Sequence, residues 1–284
     1  MKKVAKIAGL VLAVGCLASA AACGGAEKLA IGKTFVAASS QLDALTKIDQ
    51  GFAEVAVIDS VMAGYYTANG SYADKLQMVE GVVLAEESYG IAAKKENKAF
   101  MSKINEALLA LRETKYAEIT AEYGLTASAA LAADTVNPYA EATDGSWTEV
   151  VNSGTIVLGY TIFAPIADEV DGELTGYDIE LAKEVVAWLN VTYSVNLTLD
   201  FQEIDWNAKE TLLANGTIDL VWNGMTITEK RSNEMCISVP YLYNKQVAVI
   251  SKDDAPKFTS VESMKDAIMT AESGSAGESV IKGK

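Results

Sequence analysis

The sequence predicts an α/β protein. Two observations carry that expectation. Short apolar runs alternate with segments of helical period along most of the chain. Half of the 284 residues are hydrophobic, enough to give one or two domains cores of their own.

Taken in order, "KTFVAAS" reads as a strand and "QLDALTKIDQG" as a helix closed by Gly51. "AEVAVID" is a strand, "SVMAGYYTA" a helix and "YGIAAKK" a short strand. "NKAFMSKINEALLALRE" has apolar residues at helical spacing, and "KYAEITAEYG" is a shorter helix ending at Gly124. Residues 125–145 are small and polar, include Pro138, and hold no amphipathic period, so they read as a linker. The pattern then restarts. "GTIVLGY" is a strand, "ELTGYDIELAKEVVAWLN" a turn and a helix, and "YSVNLTLDFQEI" a strand region. "DWNAKETLLANG" is a helix, "TIDLVWNGM" a strand, "EKRSNEM" helical and "YLYNKQVAVISKD" a strand. "SVESMKDAI" is expected to be a serine-capped helix, followed by the strand "IMTAES". Ser275 then caps a helix that reaches Lys284 after about two turns, and small residues around a helix start suit an anion. No internal repeat is evident.

The balance of 38 acidic against 23 basic side chains, a formal charge of −15, argues against nucleic acid as a partner. With no histidine, Ser-His-Asp and Cys-His catalysis and histidine-ligated metal sites are excluded by inventory. No calcium-loop pattern is present, and no cofactor is expected.

Residues 1–22 read as a signal peptide. Lys2, Lys3 and Lys6 precede an apolar stretch from Ile7 to Ala22 that is short for a membrane span. It ends in "SAAACGG", which resembles a bacterial lipoprotein signal with Cys23 as the lipidated residue. Ala20 departs from the leucine that such signals prefer, and Cys16 is a second candidate. An ordinary secreted protein cut after Ala22 is the alternative. Loss of the three lysines takes the charge from −15 to −18. Cys236 is then the one cysteine beyond the leader region, expected as a buried apolar residue without a disulfide. Sequons at Asn69, Asn190, Asn196 and Asn215 carry no meaning behind a bacterial-type signal.

Together "GELTGYDIELAKEV", "WNGMTITEKRSNEMCISVPY" and "SGSAGE" resemble the solute-binding proteins of polar-amino-acid ABC importers, the bacterial extracellular solute-binding proteins of family 3. "EESYGIAAKKENKAFMSKINEALLALRETKYAEITAEYG" resembles that family's carboxy-terminal segment. The resemblance implies a two-lobed, Venus-flytrap, type II periplasmic-binding fold and covers nearly the whole chain after the leader. The order differs from the family's. The ending segment lies at 88–124 and the starting segment at 146–180, while "SGSAGESVIKGK" continues naturally into "AEKLAIGKTFVAASSQLDALTKI". The expectation is a circular permutant. Residues 26–87 are the second half of lobe two and 88–124 the carboxy-terminal part of lobe one. The linker is 125–145, residues 146–248 are the amino-terminal part of lobe one, and 249–284 the first half of lobe two. A rearranged gene joining two binding proteins is the alternative.

The resemblance also implies site residues. Arg231 offers bidentate donors to a ligand carboxylate, with Thr226 adding hydroxyl and backbone N–H and with Asn223 and Gly224 beside them. Ser275 adds N–H groups from lobe two, where Ala276 replaces a second hydroxyl residue common in the family. Asp59 pairs the ammonium. Phe163, Trp206 and Tyr160 are candidate aromatic walls, whereas Trp222 is assigned to the lobe core or rim, away from the ligand. The implied ligand is a free amino acid, and the partners are an ABC permease and, through lipid, the outer face of the cell membrane. The implied protein is a monomer and not an enzyme. Prephenate or arogenate dehydratases on the same fold, and a sensing lipoprotein without transport, remain alternatives.

Overall fold

The computed structural model describes residues 28–68 and 70–284. Cys16, Cys23 and Asn69 lie outside the described residues. The first elements are β1 (Thr34–Ala38), α1 (Gln41–Asp49), β2 (Val55–Asp59), α2 (Ser60–Ala68) and β3 (Leu76–Tyr89). Next come β4 (Ala92–Lys94), α3 (Lys98–Leu111), α4 (Lys115–Glu122) and α5 (Ser146–Ser153). These are followed by β5 (Thr155–Tyr160), β6 (Asp168–Val170), β7 (Glu173–Thr175), α6 (Tyr177–Tyr193) and β8 (Thr198–Glu203). Then come α7 (Lys209–Ala214), β9 (Leu220–Val221), α8 (Glu229–Glu234) and β10 (Met235–Ile237). The chain closes with β11 (Leu242–Ser251), β12 (Ile268–Glu272) and α9 (Ala276–Lys282).

The strands form two five-stranded sheets, ordered β1-β12-β2-β11-β3 and β10-β4-β9-β5-β8, with β6 and β7 as a separate hairpin. In the first sheet β12 lies parallel to both β1 and β2, pairing Thr34 with Ile268 through Ala38 with Glu272, and Met269 with Val55. The strands of "KTFVAAS" and "IMTAES" are therefore direct neighbours in one sheet. Beside it, the Ile281 carbonyl accepts from the backbone N–H of Ala30 at 2.8 Å and of Ile31 at 3.2 Å.

Both faces of the first sheet are covered, which suits its near-continuous apolar strands. In β2, Ala56 and Ile58 pack with Ala44, Leu45 and Ile48 of α1. Val55 and Val57 pack on the other side with Met269 and with Ile281 of α9. Helix α1 starts where the Ser40 hydroxyl accepts from Asp43 N–H at 3.0 Å, and Gly51 takes φ +74 just beyond its end. The second sheet packs α3, α4 and α6 on one face, through Phe100, Ile104, Leu108, Tyr116, Leu181 and Val185, and α7 on the other through Leu213.

Several elements differ from the sequence expectation. Strand β3 was not anticipated. Its Glu80, Gly81, Glu86 and Glu87 break any apolar pattern, because it is an edge strand with a bulge where Gly81 takes φ +71. Helix α5 was also unread. "SVESMKDAI" is not a helix; it holds only a 3-10 turn at Glu262–Met264. Residues 125–145 lack regular structure apart from a 3-10 turn, but they are not a loose tether. The Tyr116 hydroxyl donates to the Tyr241 carbonyl at 2.7 Å and accepts from Ala130 N–H at 3.1 Å. Asn137 donates to the Ser102 carbonyl at 3.1 Å, and Asp144 accepts from Ala99 N–H at 2.8 Å.

The 248/249 boundary falls inside β11, all of which belongs to the first sheet. The chain instead crosses between the sheets just after Tyr89 and just before Leu242. There Tyr241 N–H donates to Tyr89 O at 3.0 Å and Ser238 N–H to Ile91 O at 2.8 Å.

Candidate functional site

Four strands end at the same place. β2 ends at Asp59 and β12 at Glu272 in the first sheet; β5 runs into Thr161–Phe163 and β9 into Trp222–Thr226 in the second. Carboxyl ends of strands in open α/β sheets leave a crevice where side chains and backbone N–H groups converge. Here the crevice is a narrow cleft between the two lobes, with free space of only about 20 Å³.

The structure brings together Asp59, Phe163, Trp206, Asn223, Gly224, Thr226, Arg231 and Ser275 along this cleft. It does not bring Tyr160, whose half-buried ring packs edge-on against Phe201 with centroids 6.4 Å apart. As the last residue of β5 it stops short of the segment that turns into the cleft. Trp222 is in the core against Tyr241, as expected. Gln41, Thr161, Ile162 and Glu272 line the cleft without having been anticipated, and Ala276 lines it beside Ser275. No sequence signal pointed to Glu272, or to Gln41, which reaches the site from the first turn of α1.

Arg231 is 7% exposed, in the first turn of α8, where the Thr228 hydroxyl caps the Arg231 N–H at 3.1 Å. Its Nη1 donates to the Thr226 carbonyl at 2.8 Å, and its Nη2 crosses the cleft to the Gly274 carbonyl at 3.1 Å. Among the described residues no carboxylate lies within 4.0 Å of it. Burial lowers its pKa, opposed by Glu210, Glu87, Asp59 and Glu272 at longer range. The Thr226 hydroxyl makes no hydrogen bond among the described residues.

Asp59 is 4% exposed and also lacks an ion pair among the described residues. Its Oδ1 accepts from Tyr89 Oη at 2.9 Å and Gln246 Nε2 at 2.9 Å, and also from Asn244; Oδ2 accepts from Gln41. Burial holds its pKa well above the ordinary carboxylate range, and Glu87 next to it adds to the rise. This carboxyl is thus oriented by neutral donors and has no cation to neutralise it.

Asn223 Nδ2 bonds Thr161 Oγ1 at 2.8 Å, while its Oδ1 is buried with no partner among the described residues. Gly224 takes φ +60, and a Cβ there would meet Phe163 Cε1 at 2.6 Å, so only glycine lets backbone and ring meet this closely. Its N–H donates to Asp178 Oδ2 at 2.7 Å, which also accepts from Tyr241 Oη at 2.8 Å. Burial raises the Asp178 pKa to about 7.

Ser275 does cap α9, its hydroxyl accepting from Glu278 N–H at 3.2 Å, but Glu278 Oε2 in turn takes Gly274 N–H at 2.6 Å. This reciprocal cap uses donors that the expected anion site was to supply.

Comparison with known proteins finds similarity to one family. Residues 156–275 match the family model of bacterial extracellular solute-binding proteins, family 3. Over those residues the chain is similar to that family. Its fold is the two-lobed type II periplasmic-binding fold. The chain is 27% identical over 146 residues to the L-cystine-binding protein TcyJ of Escherichia coli (strain K12), covering 50% of this chain and 51% of TcyJ. It is 31% identical over 114 residues to the ABC transporter glutamine-binding protein GlnH of Bacillus subtilis (strain 168), covering 40% of each. Among solved structures, an ABC uptake transporter substrate binding protein from Streptococcus pneumoniae with bound histidine is 35% identical. That match covers 32% of this chain and 36% of the other, with a TM-score of 0.28. The chain spans about half the length, or less, of the curated relatives it matches.

Among the described residues no helix is long and apolar enough to cross a membrane, and no cluster of three or more metal-binding side chains occurs. Cys236 is buried in β10, and burial lifts its thiol pKa to about 11.

Proposed function

We propose that the protein captures a free α-amino acid between its lobes and delivers it to the permease of an ABC importer. One observation carries this reading. Arg231 and Asp59 are both buried, face one cleft from opposite lobes, and have no oppositely charged partner within 4.0 Å among the described residues. Buried charges of this kind are costly unless paired. A zwitterion with carboxylate toward Arg231 and ammonium toward Asp59 satisfies both at once.

In this reading Thr226 adds its hydroxyl to the carboxylate, Asn223 and Gly224 shape the adjacent strand end, and Ser275 closes from the other lobe. Phe163 and Trp206 form the walls. Binding starts on the lobe that carries Arg231, and closure then adds Asp59, so the loaded form differs in shape from the empty one. That difference is what a permease recognises. The names of the relatives, which include cystine-, histidine-, arginine- and glutamine-binding proteins, support amino acids as the ligand class. The protein works as a monomer outside the cytoplasmic membrane, anchored through lipid on Cys23. The sequence supports the anchor, and Cys23→Ala released from membranes into the soluble fraction tests it.

The family order of segments supports a circular permutation, with 125–145 joining the former termini. The pairing of β12 between β1 and β2 is compatible with that history.

A thermal-shift screen of the twenty amino acids and cystine, on protein unfolded and refolded to strip bound ligand, tests the binding reading. It expects a rise in melting temperature for at least one. No rise for any of them removes the proposal. One observation favours a second reading, a dehydratase of the prephenate or arogenate kind. Glu272 lines the cleft with its pKa pushed by burial to about 8, as a proton donor would require. Turnover of either substrate would establish it.

A further inference from the structure

The cleft holds one more charge than the α-amino and α-carboxyl groups of a ligand use. With Arg231 and Asp59 assigned to those groups, Glu272 remains. It ends β12, is 6% exposed, and makes no side-chain hydrogen bond or ion pair among the described residues. Lys209 is the cation that acts on it most strongly, but Lys209 does not line the cleft. Its Nζ is held by Glu210 at 3.2 Å and donates to the carbonyls of Trp206 at 3.1 Å and Gly274 at 3.2 Å.

A second acceptor points the same way. Asn223 is 2% exposed and lines the cleft, and its Oδ1 has no donor among the described residues. Beyond Glu272 a groove continues past Glu203 and Asp205, with no lysine or arginine among the described residues that line it. The surplus of the site is therefore acceptors and negative charge.

We propose that the bound amino acid carries a cationic side chain, whose charged end is taken by Glu272 with Asn223 Oδ1 beside it. This rests on the amino-acid-binding reading above and adds the class of ligand. A neutral side chain leaves a buried carboxyl without a partner, and sites built for hydrogen-bonded charge reject such ligands strongly. Burial raises the pKa of Glu272, as expected where the compensating cation is supplied by the ligand.

The test is calorimetric titration of the ligand-stripped full chain at pH 8 with L-arginine, L-lysine, L-citrulline and L-glutamine. Citrulline keeps the length and N–H donors of arginine but lacks its charge. Arginine or lysine is expected to bind at least tenfold more tightly than citrulline and glutamine. Glu272→Gln, checked for an unchanged circular dichroism spectrum, is expected to cut the arginine-to-citrulline ratio to threefold or less. Equal or tighter binding of citrulline or glutamine by the unmodified protein overturns the cationic side chain while leaving amino-acid capture intact. An undiminished ratio in Glu272→Gln overturns the role of Glu272. If none of the twenty amino acids or cystine binds, the amino-acid reading itself falls.

Discussion

Arg231 reaches across the cleft to Gly274. Its Nη2 donates to that carbonyl at 3.1 Å while Nη1 stays on the Thr226 carbonyl of its own lobe at 2.8 Å. The residue assigned to the ligand carboxylate therefore also touches the lobe that closes over it. Lobe closure and ligand binding share one guanidinium, so they should be coupled.

Arg231→Ala is expected to weaken amino-acid binding by on the order of 3–5 kcal/mol, the usual cost of removing one member of a buried charge pair. The ligand-free fold should barely notice. A buried guanidinium with only carbonyls as partners adds little to stability, and its removal relieves a desolvated charge. Calorimetry and thermal melting of the ligand-free variant check the two halves. Unchanged affinity would make Arg231 a structural residue.

Asp59→Asn is expected to reduce affinity by a hundredfold or more, through loss of the ammonium's counter-charge. The carboxyl is surrounded by Gln41, Tyr89, Asn244 and Gln246, and the first and last two of these carry amides that can turn to meet an asparagine. The folded state should survive, as judged by circular dichroism. Near-native affinity would place the ammonium elsewhere.

Much of this site was readable in the sequence because it sits in short motifs. "WNGMTITEKR" places Asn223, Gly224, Thr226 and Arg231 within nine positions, and "SGSAGE" marks a capped helix start. Glu272 was not readable. It stands in "IMTAES", where alternation assigns no role to a strand's last residue, and only its pairing opposite Ala38 at the sheet's cleft end reveals it. Gln41 was hidden for a different reason. It looks like the first polar residue of a surface helix, yet it is buried by contact with Asp59, 18 positions away. Strand β3 was lost because an edge strand with a bulge need not alternate. Tyr160, a candidate wall by resemblance, does not line the cleft; its ring packs on Phe201 instead.

Ligand-free protein is expected to lose stability as pH rises from about 5 to 8. Glu272, Asp178 and Asp59, whose pKa values are all raised by burial, are the groups responsible. The folded pKa values of the first two lie near 8 and 7, against ordinary values of 4.5 and 3.8. Across that window the folded state holds protons that the unfolded state has released, so stability is greatest below the window and falls through it. The carboxylates with lowered pKa, such as Glu54 and Asp43, act only below this range. The loss should be on the order of a few kcal/mol, measured by urea unfolding at each pH. Glu272→Gln should flatten the profile. A flat profile in the unmodified protein would mean that these carboxyls are better solvated than their burial implies.

The last prediction concerns α9 and the seam between the two ends of the described chain. Gly277 lies inside this helix, where Gly→Ala ordinarily stabilises by up to about 1 kcal/mol. Here the sign should reverse. A Cβ at Gly277 would meet the Val57 carbonyl oxygen at 2.3 Å, and that oxygen belongs to the backbone of central strand β2, which cannot swing aside. Ile281, one helical turn on, is fully buried with Val57 and Met269 and against Leu29, Ile31 and Phe35. Ile281→Ala is expected to cost about 2–5 kcal/mol by the usual range for emptying a buried aliphatic site. Gly277→Ala should destabilise as well, by on the order of 1–3 kcal/mol, as overpacking does. Both follow only if residues 276–282 pack onto β2 and the 29–35 segment as one lobe. Urea melts of the two variants decide this. A gain in stability from Gly277→Ala, together with a loss below about 0.5 kcal/mol from Ile281→Ala, would show that α9 does not occupy this position.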